Sequence, residues 1–139
     1  MKKLVRPTEP TPFAKWMGVK KLGEYDGIKH TYVVVAQVPP EALNFFGTVH
    51  GGYLAGLFDD AFGMLAYFIY GVNSATTFDG NVKPLKMLRL SGGNSLVFET
   101  RFKEESDCVI QLEGSVKRGN IIMAEAVSFW LLRKNRGGK

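Results

Sequence analysis

The sequence has few of the side chains that form disulfides or bind metals. Of its 139 residues, one is a cysteine, Cys108, and two are histidines, His30 and His50. A single cysteine cannot form a disulfide within one chain, and two isolated histidines give no metal-ligand spacing. Cys108 belongs to a strand-like run with no histidine close to it in sequence, so we interpret it as a buried thiol and not as a nucleophile. We therefore expect no disulfide, no metal site and no cofactor.

The chain also lacks a long apolar segment near its beginning. Met1-Lys2-Lys3 is basic, but the residues that follow include Pro7 and Pro10 and contain no apolar run of signal-peptide length. We therefore expect a cytoplasmic protein. Its length suits one domain, and we predict three segments: an arm or short helix over residues 1–16, a single domain over 17–134 and a basic tail over 135–139.

Basic side chains outnumber acidic ones but follow no pattern typical of nucleic-acid binding. The chain has 18 Lys and Arg against 13 Asp and Glu, a formal net charge of +5. Such a charge suits phosphate-bearing partners in general. However, the basic residues are scattered, with no zinc-finger spacing, aromatic RNA-binding motif or basic heptad region. We therefore expect no nucleic-acid partner.

The longest apolar stretch, residues 51–70, predicts a helix enclosed by other structure. It is apolar on nearly every face. A membrane span is the rival interpretation of 20 apolar residues. Asp59 and Asp60 lie at its middle, and each would cost about 2.5–3.5 kcal/mol in a bilayer. We therefore expect no membrane association.

Strand-like runs precede and follow this helix. Before it, β-branched and aromatic residues surround an Asp26-Gly27 pair, which favours a hairpin turn. A second hairpin turn is predicted at Gly119-Asn120. After the helix, four strands are predicted over about 75–83, 94–105, 108–117 and 120–133. One enclosed helix and about six strands, mostly joined by hairpins, favour an α+β fold in which an antiparallel sheet curls around the helix.

The start of the helix is a candidate site for an anion or for an oxyanion that forms during a reaction. The first N–H groups of a helix have no partner within it and carry a partial positive charge. Gly51 and Gly52 lack the side chains that would block access to these groups. The alternative interpretation is that Thr48 or its neighbours cap the helix and the glycines only form a turn.

Asp59 is a candidate general base or nucleophile. A carboxylate in an apolar helix must be hydrogen-bonded, paired or exposed to a wet cleft, because burying it bare is too costly. Asp60 lies about 100° further round the helix, so at most one of the two points into a given site. The alternative interpretation of Asp59 is a core aspartate held by N–H groups.

Helix geometry relates these two candidates. Gly51 and Asp59 are eight residues apart, which is about 12 Å of helical rise. A base and an oxyanion donor must both lie within about 3 Å of one reacting carbonyl group. If the two residues share a site, they therefore come from two copies of the chain. Two antiparallel helices that approach along Gly52, Gly56 and Gly63 would satisfy this condition.

The same stretch resembles a known enzyme family. Hotdog-fold acyl-CoA thioesterases carry the signature Asn-x-x-Gly-x-x-His-Gly-Gly followed by Asp-x-Ala. This chain is similar at Asn44-Phe45-Phe46-Gly47-Thr48-Val49-His50-Gly51-Gly52 and at Asp59-Asp60-Ala61. It is most similar to the phenylacetate-pathway thioesterase group, and the resemblance covers about residues 30–133. It implies the hotdog fold, an antiparallel sheet of about six strands around one long central helix.

The resemblance also implies catalytic roles for five residues. Asp59 would act as the general base or nucleophile, and the Gly51 N–H would polarise the thioester carbonyl. Asn44 would orient the attacking water or the carbonyl. His50 would fix the helix start and contact the thioester region, and Thr77 would assist the aspartate.

Further residues are implied as substrate-binding candidates, by their place beside the site or along the strand edge near the CoA path. They are Gly52, Phe45, Lys83, Lys86, Arg89, Lys117 and Arg118. For the basic residues, solvated charges at a strand edge are the alternative interpretation. The chain departs from the family at Leu85-Lys86-Met87, where Leu-Arg-Pro is usual, and at Gly80, where an apolar residue is usual. We therefore expect this edge to have a different shape.

The implied function is hydrolysis of an acyl-CoA to a carboxylic acid and free CoA, without a metal, by a homodimer or a dimer of dimers. A non-catalytic acyl-CoA sensor on the same fold is the alternative. A hotdog dehydratase or hydratase is a third hypothesis, but its Asp-x-Asn-x-x-His pattern is missing from the sequence. The acyl group is not predicted. Candidates for lining its pocket, with plain core as the alternative, are Phe45, Phe46, Phe62, Tyr67 and Phe68.

Overall fold

A computed structural model of the chain describes residues 7–71, 75–84 and 94–132. Within these ranges the chain forms two α-helices and six strands. In chain order they are α1 (Pro12–Trp16), β1 (Glu24–Asp26), β2 (Thr31–Gln37), α2 (Gly51–Tyr70), β3 (Ala75–Pro84), β4 (Ser95–Ser106), β5 (Val109–Arg118) and β6 (Ile121–Leu132), with a single 3-10 turn at Pro40–Ala42 between β2 and α2.

The six strands form one sheet in the order β1-β2-β4-β5-β6-β3, with α2 packed on one face. All neighbouring strands are antiparallel. The predicted α+β fold, with one long helix on a six-stranded antiparallel sheet, is therefore confirmed. β1 and β3 are the two edge strands, and β3 begins five residues after α2 ends.

The helix α2 is buried because its apolar side chains meet the inward-facing residues of the central strands. Alternate residues of β4 and β5 are fully buried, as a strand with one covered face requires. The ring of Phe58 packs edge-on against Phe98 at 5.1 Å between centroids and lies 5.8 Å from the Phe62 ring. This aromatic cluster fixes α2 over the middle of the sheet.

Gly114 of β5 allows the close contact between α2 and the sheet. A Cβ atom at this position would lie 2.8 Å from the carbonyl oxygen of Glu99 and 3.3 Å from the rings of Phe58 and Phe62. A backbone oxygen in a paired strand cannot move aside cheaply, and the two rings are buried. The missing side chain therefore sets how closely the helix approaches the sheet.

The short helix α1 straps the N-terminal segment across α2. Thr11 caps α1 by accepting a hydrogen bond from the Ala14 N–H at 3.1 Å. Its hydroxyl also donates to a carboxylate oxygen of Asp60 at 2.6 Å. The Tyr53 hydroxyl donates to the Met17 carbonyl at 2.7 Å. The predicted short helix is confirmed, whereas the predicted domain boundaries stay a prediction.

The expected glycine stripe on α2 is not a free surface for a second helix. A Cβ atom at Gly56 would lie 2.8 Å from the ring of Phe13, and one at Gly63 would lie 3.3 Å from Trp130. Both glycines thus face side chains of their own chain. That part of the prediction is wrong because α1 and β6 occupy the positions expected for a partner helix. Gly52 has nothing within 4 Å of its Cβ position among the described residues.

Two local predictions need correction. The first hairpin lies where expected, but its turn runs over residues 27–30, because the Asp26 carboxylate accepts the N–H groups of Ile28 and Lys29 at 2.9 and 3.0 Å. Cys108 lies in the β4–β5 turn with a φ of 69° and is only half-buried, so its interpretation as a buried strand residue is wrong. The Gly119-Asn120 turn is confirmed between the paired residues Arg118 and Ile121.

Replacement of Gly114 tests the close packing of α2. Gly114→Ala is expected to lower the free energy of unfolding by about 1–3 kcal/mol, because the new methyl group overlaps the Glu99 backbone and two rings. Chemical denaturation followed by circular dichroism measures this change. Gly80→Ala is the control, since the one described atom within 4 Å of a Cβ there is Ser128 Oγ, at 3.7 Å. It should change stability by no more than about 0.5 kcal/mol. Equal stability of the two variants would contradict the packing argument.

Candidate functional site

The loop before α2 is held by Asn44. Its side-chain oxygen accepts the N–H groups of Phe46 at 2.9 Å and Thr48 at 3.1 Å, and its side-chain nitrogen donates to the Thr48 hydroxyl at 2.7 Å. The Asn44 N–H donates to the Thr48 carbonyl at 2.9 Å and closes the same loop, in which Gly47 takes a φ of 74°. Asn44 thus positions the chain that enters the helix. Its expected role toward water or a carbonyl stays a prediction.

The first turn of α2 presents open backbone N–H groups. His50 is the N-cap residue and makes no side-chain capping hydrogen bond. Thr48 bonds to Asn44, so the alternative in which Thr48 caps the helix is wrong. Gly51 and Gly52 are exposed, and nothing described lies within 4 Å of their Cβ positions. The Tyr53 and Leu54 N–H groups bond to the His50 carbonyl, at 3.1 and 3.3 Å, so the N–H groups that an anion can approach are those of Gly51 and Gly52.

A groove of about 500 Å³ runs along the flank of α2 that faces β3 and β6. Gly51 and Gly52 line it at the helix start, and Asp59 lines it two turns further on. The remaining lining residues come from the helix and the two strands: Leu54, Ala55, Phe58, Phe62, Gly80, Asn81, Val82, Ala126, Val127 and Ser128. The volume lies within the range of small-molecule sites, about 300–1,000 Å³.

Adjacent aspartates on α2 have different surroundings. Asp59 lines the groove and is exposed in the single chain. Asp60 is directed to the other flank, where it is partly buried and accepts the hydroxyl of Thr11. Burial is the largest effect on Asp60 and raises the pKa of its carboxyl, while the Thr11 hydrogen bond opposes the shift. The expectation that only one of the pair points into a given site agrees with this arrangement.

Two tyrosines, Tyr53 of α2 and Tyr32 of β2, are buried with their hydroxyl groups hydrogen-bonded. Burial is the largest cause that raises the pKa of Tyr53, whose hydroxyl donates to the Met17 carbonyl, and the pKa of Tyr32, whose oxygen accepts the Gly23 N–H at 2.9 Å. Both tyrosines therefore stay neutral at physiological pH. They support the fold and do not line the groove.

The other predicted site residues lie in several places. His50 is exposed at the helix start, beside the groove. Thr77 lies on β3 opposite Trp130 in the register, and its side chain is outside the described part. Phe45 is fully exposed, and Phe46 is 81% exposed. Of the aromatic candidates for an acyl pocket, Phe62 lines the groove, whereas Tyr67 and Phe68 do not.

The basic candidates are dispersed. Lys83 is exposed on β3, and Arg118 is exposed at the end of β5. Lys117 lies 3.2 Å from a carboxylate oxygen of Glu99 in an ion pair. None of these three lines the groove. Lys86 and Arg89 are outside the described residues. No basic residue is thus placed in contact with the groove by the part of the chain that the structure describes.

Sequence reasoning missed the strand wall of the groove. Val82, Ala126 and Ser128 lie on the face of β3 and β6 that is turned toward α2, but alternation alone does not tell a groove wall from core. In the sequence, Gly80 is the one signal of this wall, because the family that the chain resembles usually has an apolar residue at this position. The edge at Gly80 was expected to have a different shape, and Gly80 lines the groove.

Residues 7–71, 75–84 and 94–132 contain neither a cluster of metal-binding side chains nor a helix suited to cross a membrane. No three His, Cys, Asp or Glu side chains in these ranges are grouped so that they could hold a metal ion. No helix there combines the length and the apolar character that a membrane crossing requires.

Solved structures with the same fold include several thioesterases and proteins of phenylacetic acid degradation. A mutant of the phenylacetic acid degradation protein PaaI from Thermus thermophilus matches with a TM-score of 0.75 at 19% identity, over 88% of this chain and 100% of that chain. A hypothetical thioesterase of Streptococcus pneumoniae TIGR4 with coenzyme A matches with a TM-score of 0.67 at 19% identity, over 83% and 84%.

A third match is a protein of Streptococcus mutans UA159 bound to acetyl CoA, with a TM-score of 0.68 at 20% identity, over 79% of this chain and 85% of that chain. No protein-family model and no curated protein matches the sequence. At this level of identity the likeness shows the fold. The chain is therefore an α+β protein with the hotdog fold, and its neighbours in structure are PaaI-like thioesterases.

Because the pKa of the Asp60 carboxyl is raised, we expect this group to lower the stability of the folded chain as the pH rises. In the unfolded chain this carboxyl loses its proton near the ordinary value of 3.8, but in the folded chain it does so at higher pH. Between the two values the folded state holds more protons, so stability falls as the pH rises. We expect Asp60→Asn, which keeps an acceptor for Thr11, to raise the thermal midpoint relative to the parent more at about pH 7 than at about pH 4.

Asp26→Asn is the matched control for this prediction. Backbone N–H groups of Lys29 and Ile28 lower the pKa of the Asp26 carboxyl, so its contribution has the opposite sign. That contribution is present above 3.8 and is lost as the pH falls through the lower folded value. Thermal scans of both variants across this pH range measure the difference. A pH-independent effect of Asp60→Asn would show that the carboxyl is not desolvated in the folded chain.

Proposed function

We propose that this protein is an acyl-CoA thioesterase that hydrolyses an acyl-CoA to a carboxylic acid and free CoA. The observation that carries the proposal is a groove that presents both the open helix start at Gly51 and Gly52 and, about two turns away, the Asp59 carboxylate, each of them accessible to a second copy of the chain. An oxyanion site and a carboxylate at one apolar groove are the two parts that thioester hydrolysis requires. The presence of a thioesterase and of CoA-bound proteins among structures with this fold supports the same reaction class.

In the proposed reaction, a water oxygen attacks the thioester carbonyl carbon while Asp59 accepts a proton from that water. The negative charge that develops on the carbonyl oxygen is stabilised by the Gly51 N–H at the positive end of the helix, an effect of about 2.7–4 kcal/mol per donor. The carbon–sulfur bond then breaks, and the CoA sulfur takes up a proton. The products are the carboxylic acid and the CoA thiol, and water is the only co-substrate.

The proposed site needs two copies of the chain. About 12 Å of helical rise separates Gly51 from Asp59, so one helix cannot place both beside a single carbonyl group. A partner related by a two-fold axis would place its helix start beside this chain's Asp59. By the same symmetry, this chain's helix start would lie beside the partner's Asp59.

Three exposed features favour such a partner. Phe45 and Phe46 expose their rings next to the helix start, and β3 is an edge strand. Exposed aromatic side chains and an open strand edge are both typical of surfaces that bind another chain. Asp59 is exposed in the single chain, so a partner has access to it. The cytoplasmic location stays a prediction.

Replacement of the groove carboxylate tests the proposed activity. Asp59→Asn is expected to keep the fold, because Asp59 lies on the exposed flank of α2, and to lower kcat by about 10²–10⁴-fold, the usual contribution of a positioned base. Thiol release from a panel of acyl-CoAs measures the change. Asp60→Asn is the control on the same helix and should retain turnover.

The outcomes separate the two candidate functions. Unchanged thiol release by a folded Asp59→Asn protein would contradict the proposed role of the carboxylate. Binding of acyl-CoA by the parent protein without any thiol release, measured by calorimetry, would instead support the non-catalytic sensor. A carboxylate beside an apolar groove favours the enzyme, since a negative charge contributes nothing to the binding of an apolar acyl group.

A further inference from the structure

The strand wall of the groove has an unusual gap at Gly80. Gly80 pairs with Ser128 in the register between β3 and β6, and both residues line the groove. On the same face of the two strands, the next pair is Val82 and Ala126. The wall is therefore built mainly from small residues at the point where β3 meets β6.

Gly80 is not required by the backbone. A Cβ atom at Gly80 would have Ser128 Oγ, at 3.7 Å, as its only described neighbour, which is an ordinary van der Waals distance. Gly80 is not among the glycines with a positive φ, so a side chain would not strain the strand. The strand can thus accommodate a larger residue. What the glycine changes is the width of the groove.

The opposite wall consists of large apolar side chains. Phe58 and Phe62 are buried and lie 5.8 Å apart between ring centroids. They line the groove from α2, together with Leu54. Small residues on one wall and aromatic rings on the other leave a wide apolar slot. Such a slot binds an apolar ligand through contact area and not through charge.

We propose that Gly80 is a specificity-determining residue that opens the groove to a bulky apolar acyl group, wider than an unbranched chain. This inference rests on the proposed function, because it assigns the groove to the acyl part of an acyl-CoA. A side chain at position 80 would lie beside Ser128 Oγ and take up part of the groove volume. Gly80 thus selects among acyl groups without touching the reacting carbonyl.

A graded series at position 80 tests the proposal. Hydrolysis of acetyl-CoA, of unbranched butyryl-CoA and of ring-bearing cyclohexanecarbonyl-CoA is compared for the parent, Gly80→Ala and Gly80→Val. With each added methyl group, kcat/KM for the ring-bearing substrate should fall, reaching a loss of about 10–200-fold in Gly80→Val. The value for acetyl-CoA should change by less than about threefold. Glu125→Ala, at an exposed position of β6 outside the groove, is the control and should leave all three values unchanged.

Direct binding separates failure of this inference from failure of the proposed function. If the parent hydrolyses acyl-CoA and Gly80→Val lowers all three substrates equally or none, the inference is overturned and the proposed function stands. If the parent releases no thiol, calorimetry of the same three compounds decides. If folded Gly80→Val selectively loses binding of the ring-bearing compound, the inference is supported although the proposed activity is not. If the parent binds none of the three compounds, the inference and the proposed function are both overturned.

Discussion

Enclosure of the helix α2 is the constraint on which the rest of this structure depends. An apolar stretch of 20 residues must be covered on most of its surface, and one six-stranded sheet covers only the side that it contacts. The strap formed by α1 covers a second side of α2. There the Phe13 ring lies next to Gly56, and the Thr11 hydroxyl donates to the Asp60 carboxylate. The flank toward β3 remains open, and it carries the helix start and Asp59. The candidate site is thus the part of α2 that residues 7–71, 75–84 and 94–132 leave uncovered.

The two adjacent aspartates show how this enclosure divides roles. About 100° of helical rotation separates Asp59 from Asp60, so they belong to different flanks. Asp60 is partly buried under the strap, where its carboxylate accepts the Thr11 hydroxyl and its pKa is raised by burial. Asp59 stays on the open flank, where substrate and water have access. Asp60 therefore holds the N-terminal segment on α2, whereas Asp59 has the proposed catalytic role.

Much of the fold was predictable because its signals are local. The all-round apolar pattern of residues 51–70 predicts an enclosed helix, and Gly119-Asn120 predicts the β5–β6 turn; both are confirmed. The contacts of Gly56 were not predictable, since Phe13 reaches it only through the tertiary fold. The longer turn after Asp26 depends on side-chain hydrogen bonds to Ile28 and Lys29 that a two-residue turn pattern does not show.

The candidate site divides in the same way. Gly51, Gly52 and Asp59 could be singled out from the sequence because open amides and an aspartate in an apolar helix both need an explanation. The groove wall at Ser128 could not, since a serine in an alternating strand carries no sign of the cavity beside it. Of the basic residues carried over by resemblance, Lys83, Lys117 and Arg118 lie outside the groove, and Lys117 is paired with Glu99 instead.

The central claim, a site shared between two copies, is tested most directly by complementation between two inactive chains. An Asp59→Ala chain and a Gly51→Leu chain are co-expressed with different tags, and mixed dimers are isolated. Leucine at position 51 would obstruct the first-turn amides, and its Cβ position has no described atom within 4 Å. In each mixed dimer one site keeps both the intact helix start and the intact carboxylate. We expect each separate variant to be inactive and the mixed dimer to recover about half of the parent's thiol release per dimer. An inactive mixed dimer would contradict the shared site.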